Sequence, residues 1–137
     1  KSTEVIISTL KESDGDIIKM MIRLYDVHIK FKKEHPKSIL SLFNAMAERV
    51  FSLKRAYSDK DIIGHDFFKS KAGERLCELL WENSNEHFKK YNRRKFTSLT
   101  KLIFTVAFRS VIRAEICDEI TAREQMVEWF GFIRNGV

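Results

Sequence analysis

The residues best suited to chemistry are a few histidines and carboxylates. His65-Asp66 is a His-Asp pair, with His35 upstream and Asp118 downstream. Such groups are reasonable ligands for a hydrolytic metal. Asp61 and His65, four residues apart, would share one face of a helix and form a second weak metal pair. His28 offers a different chemistry, a single polar group among Leu24, Tyr25 and Phe31. That is the usual make-up of a small-molecule cavity, and equally of a core histidine with one satisfied hydrogen bond.

The common catalytic signatures are missing. The glycines, at 15, 64, 73, 131 and 136, build neither GxGxxG nor GxxxxGK[ST]. There is no GxSxG, no HExxH and no CxxC. The order of the His and Asp residues loosely resembles that of HD-type metal phosphohydrolases, which would imply a bound metal. No catalysis, metal or cofactor is expected from so short a motif.

The elements that must position these residues read as helices throughout. At 137 residues the chain fits one domain, residues 1–137. A single Pro and five Gly disfavour a turn-rich β fold, and 11 Phe point to an aromatic core or cavity. The longest apolar run, Leu102 to Phe108, is far short of the ~20 residues of a membrane span. No signal peptide is visible, and two cysteines, Cys77 and Cys117, suit a reducing cytoplasm.

Helical spacing of apolar residues predicts a first helix near Ser2–Lys11, closed by Asp14-Gly15. A second runs from about Asp16 to His35 and ends at Pro36; a third runs from about Pro36 to Leu53. A fourth, irregular helix follows Ser58, and a fifth spans about Glu74 to Lys90. Leu99 to Glu119 is apolar nearly all round, so it must be covered on all sides, in part by a second copy. Thr121-Ala122-Arg123-Glu124 reads as a capping box that opens the last helix. The expected fold is an all-α, single-domain bundle of six or seven helices. Its last two helices form a four-helix bundle across a dimer axis.

The net charge of +6 favours acidic partners. Two clusters carry it: Lys30, Lys32, Lys33, and Lys89, Lys90, Arg93, Arg94, Lys95. Both fall where helices are expected to end, where cations complement the helix dipole. The second cluster contains Tyr91 and lies beside Phe88 and Phe96. That interleaving supports an alternative, a basic helical module that binds nucleic acid or a protein partner.

The whole pattern resembles the C-terminal effector-binding and dimerisation domain of TetR-type transcriptional regulators. Lys1 to Ile6 resembles the opening of the helix that joins the two domains of that family. Leu24-Tyr25 through Phe31 to Glu34-His35-Pro36 resembles its "y..f..ehP" helix. Leu102 to Ile116, followed by Thr121 to Ile133, resembles its final helix pair. Phe67 to Lys71 is similar to the segment that closes the family's DNA-binding domain, but the turn glycine and recognition helix are missing upstream. The resemblance therefore implies that the chain begins after the helix-turn-helix. It implies a homodimer that binds a small-molecule effector and reaches DNA only through a domain not in this chain. Lys1 to Leu10 would be the moving helix. Tyr25, His28, Met46, Trp81, Phe104 and Phe108 would line the effector pocket, and Val111, Trp129, Phe130 and Ile133 the dimer interface.

Overall fold

A computed structural model describes residues 2–37 and 70–136. Beyond Pro36 and Lys37, which are helical, the expected third helix lies outside the described residues, as do Met46, Asp61, His65 and Asp66 of the third and fourth. The described residues form six helices and no strand: α1 (Ser2–Glu12), α2 (Ile17–Glu34), α3 (Lys71–Asn83), α4 (Glu86–Lys89), α5 (Arg93–Ile116) and α6 (Glu119–Gly136). The all-α reading holds.

The helix boundaries follow from local chemistry. α1 is stopped by two successive left-handed residues, Asp14 at φ 58° and Gly15 at φ 72°. Gly15 N–H donates back to the Leu10 carbonyl, which closes the helix end. Asp16 then caps α2, accepting from the Ile18 and Lys19 N–H groups at 2.9 and 3.1 Å. The turn is held from outside as well. Asn85 N–H donates to the Gly15 carbonyl and the Asn85 side chain to the Asp14 carbonyl. A Cβ at position 15 would lie 2.7 Å from the Asn85 nitrogen, so only glycine allows this approach.

Two boundaries differ from those read in the sequence. The expected fifth helix divides at Ser84-Asn85, because both residues are extended and the Asn85 side chain caps α4 through the His87 N–H. α5 starts at Arg93, well before Leu99, because Asn92 caps it through the Lys95 N–H. The expected capping box at Thr121 is also displaced. Asp118 is the cap of α6, accepting from the Thr121 N–H at 2.7 Å and from its hydroxyl at 2.8 Å. Thr121 is the third residue of the helix.

α5 is the central element. It packs along α6 over their length and also touches α2, α3 and α4, while α1 lies on α2 and α3. The core gathers Leu10, Met20, Leu80, Phe96, Ile103 and Met126, each with no exposed surface. Phe88 and Phe130 are buried with them. Burying side chains of this size contributes about 1.5–3 kcal/mol each, before chain entropy is counted.

Candidate functional site

α2 and α6 run antiparallel and are tied by a polar seam. Arg134, in the last turn of α6, reaches both oxygens of Asp16 at 2.8 and 3.1 Å. Arg123 grips Asp26 with Nε and Nη2, also at 2.8 and 3.1 Å. Lys33 reaches Glu119 of α6 at 2.6 Å, and Lys32 extends the seam to α5, reaching Glu115 at 3.0 Å. The Tyr25 hydroxyl donates to the Glu119 carbonyl at 2.7 Å. Burial raises the Tyr25 pKa first, and the negative charges of Glu119 and Asp26 add to it. His28 is half-buried beside Glu115 and Lys32. Burial lowers its pKa, Glu115 opposes that shift, and Lys32 adds to it.

The expected pocket residues do not converge. Tyr25 and His28 lie at the C-terminal end of α5, beside Glu119 and Glu115. Trp81 lies at its other end, edge-on to Phe96 with ring centroids 5.0 Å apart and with the Arg93 guanidinium over its face at 5.4 Å. Phe96 and Glu115 are separated by most of α5, on the order of 30 Å at 1.5 Å per residue. Phe104 and Phe108 fall between these ends, and both are half-buried. One compact cavity cannot use Tyr25 and Trp81 together. Sequence spacing places residues on a helix face, and it does not say at which level neighbouring helices meet.

The proposed interface residues divide too. Val111, Trp129 and Ile133 are half-buried, with the Arg113 guanidinium 5.6 Å from the Trp129 ring. Phe130 is 1% exposed within a single chain and has no surface left for a second copy. It shares its face with Ala122 and Met126, at intervals of four residues. Ala122 is the overlooked signal: a small residue on the core face lets α6 approach α5 closely. The exposed apolar residues of the same helix pair are Leu102, Ile116, Ile120, Val127 and Phe132, from 39% to 73% exposed.

The basic clusters are placed at opposite kinds of helix end. Lys32 and Lys33 occupy the last turn of α2, as the dipole favours. Arg93, Arg94 and Lys95 occupy the first turn of α5, which contains no acid. The expectation that both clusters complement a C-terminus holds in the second for Lys89 and Lys90, at the end of α4, and is corrected for Arg93, Arg94 and Lys95. The expected aromatic interleaving is corrected as well, because Phe88 and Phe96 belong to the core. Tyr91 and Trp81 remain half-exposed.

No group of three or more His, Cys, Asp or Glu residues is placed to hold a metal among the described residues. His35 stacks against Phe31 with centroids 4.6 Å apart, and Asp118 is spent on its cap. Both cysteines are free; Cys77 is buried, which raises its pKa, and Cys117 is exposed. No described helix is long and apolar enough to cross a membrane. No protein-family model, curated protein or solved structure matches the chain.

Proposed function

We propose that the chain is a cytoplasmic, non-catalytic regulatory domain of the TetR kind, which pairs with a second copy through its last two helices. In this reading it responds to a small-molecule effector and controls a helix-turn-helix domain outside this chain. One observation carries the reading. Among the described residues, eight large hydrophobic side chains are left exposed, and five of them lie on α5 and α6: Leu102, Ile116, Ile120, Val127 and Phe132. α5 and α6 are antiparallel neighbours, so two copies would meet as a four-helix bundle. The seam between α2 and α6 supports it further, because a change in α2 would reach the paired helices through Asp16–Arg134 and Asp26–Arg123.

The effector site is proposed at the Tyr25–His28 end, where a half-buried imidazole stands beside charged groups. Light scattering tests the pairing. The expected mass is twice 16.2 kDa. Phe132→Glu with Ile120→Glu should give a folded species at 16.2 kDa. A wild-type monomer at micromolar concentration overturns the proposal.

A further inference from the structure

The corner where α3, α4 and α5 meet combines features that the reading above does not use. Lys90, Arg93, Arg94 and Lys95 are all exposed. Among the described residues, none of the four forms an ion pair. Glu82 and Glu86 are the nearest acids in sequence, and neither pairs with them. Lys89 completes the cluster, donating to the Glu82 carbonyl at 3.2 Å. The arrangement breaks a local rule. The N-terminal end of a helix carries about half a positive charge, so cations there repel it and acids belong in its place. Three cations open a helix of 24 residues, with no acid among them. A local rule broken without local compensation is expected where a surface serves a ligand.

The chemistry of the surroundings selects the ligand. The half-exposed Trp81 carries Arg93 over its face, and Lys90 stands 5.1 Å from the centre of the half-exposed Tyr91 ring. Aromatic faces beside unpaired cations suit a chain of phosphates with unstacked bases. Among the described residues, the eight exposed large hydrophobic side chains all lie elsewhere, so none of them at this corner would insert into a bilayer.

We infer that Lys90, Arg93, Arg94 and Lys95, beside Trp81 and Tyr91, form a docking surface for single-stranded nucleic acid. The surface is on the side of the domain away from the Tyr25–Glu119 seam, and it does not depend on whether the chain pairs with a second copy. The test is fluorescence anisotropy with a labelled single-stranded DNA of about 20 nucleotides, titrated between 50 and 200 mM salt. Binding should weaken steeply with salt, with a slope of about −0.7 per phosphate contacted.

K90Q/R94Q/K95Q removes three cations without reversing charge. It should lower affinity at least tenfold and flatten the salt slope by about two. The single variant R94Q should lower both by a smaller amount and serves if the triple variant does not fold. Trp81 emission should change on binding to the wild type. No binding at 50 mM salt, equal binding by R94Q, or tighter binding to a duplex or to phosphatidylserine vesicles each overturns the inference.

Discussion

Arg134 closes a carboxylate that is already in use. Asp16 is 7% exposed and caps α2 through two backbone N–H groups, and Arg134 arrives from the far end of the sequence to take both of its oxygens. The start of one helix and the end of another are thereby held by a single side chain. Removing the carboxylate leaves two N–H groups and a guanidinium without their acceptor. Asp16→Ala should cost about 2 kcal/mol, the scale of a lost cap plus part of an ion pair. Asp16→Asn keeps the capping oxygen and should cost less than half as much. Urea unfolding of the two variants checks the order; equal losses would show that capping contributes nothing here.

Gly15 provides a second measurable contrast. Its φ of 72° and its approach to Asn85 exclude any Cβ. Gly15→Ala should cost roughly 2–4 kcal/mol, since left-handed strain adds to a backbone contact that cannot move aside. Asp14, also left-handed, faces no such requirement of space. Asp14→Gly should be neutral or stabilising by up to about 1 kcal/mol, as glycine relieves the strain. Thermal unfolding of both variants measures the difference.

Phe130 and Phe132 are two residues apart and should behave oppositely. Phe130 is 1% exposed and Phe132 is 66% exposed. Phe130→Ala should destabilise the fold by about 3–5 kcal/mol, whatever the oligomeric state. Phe132→Ala should leave the unfolding of an isolated copy within about 0.5 kcal/mol and act only on association. Chemical unfolding at several protein concentrations separates the two effects.

His28 predicts a pH dependence. Burial holds its folded-state pKa below the ordinary 6.5. The folded state therefore binds fewer protons than the unfolded state near and below that value. Stability from this group is present above pH 6.5 and is lost as pH falls through the lowered pKa. His28→Gln should flatten the fall in unfolding free energy between pH 7 and 5. An unchanged slope would show that the imidazole is not desolvated. Asp118 acts in the same direction at more acidic pH, because hydrogen bonds from Thr121 hold its carboxyl below the usual range.

The sequence reveals helices more readily than the places where they meet. Gly15 and Pro36 mark breaks because their backbone restrictions are local, and the structure ends α1 and α2 beside them. Asn92 and Asn85 are caps that apolar spacing does not mark. A cap is one polar residue before an element, and apolar spacing shows only where a helix becomes buried. α5 thus begins six residues before Leu99, its first turn made of cations that carry no apolar period. The candidate site fared worse than the fold. Tyr25 and Trp81 both sit on apolar faces, and only the packing of α2 and α3 against α5 shows that they lie at different levels. Phe88 and Phe96 illustrate the same limit: an aromatic beside charge reads as surface until its helix is placed.

Each of the two tryptophans sits under an arginine, Trp81 beneath Arg93 and Trp129 beneath Arg113. The two arginines are separated along α5 by roughly 30 Å. The molecule therefore contains two optical reporters, one at the basic corner and one on the helix pair. In a Trp129→Phe background, emission reports only on the corner that would meet phosphates. In a Trp81→Phe background, it reports only on the helices that would meet another copy. Each event can then be followed by its own colour change, without an added dye.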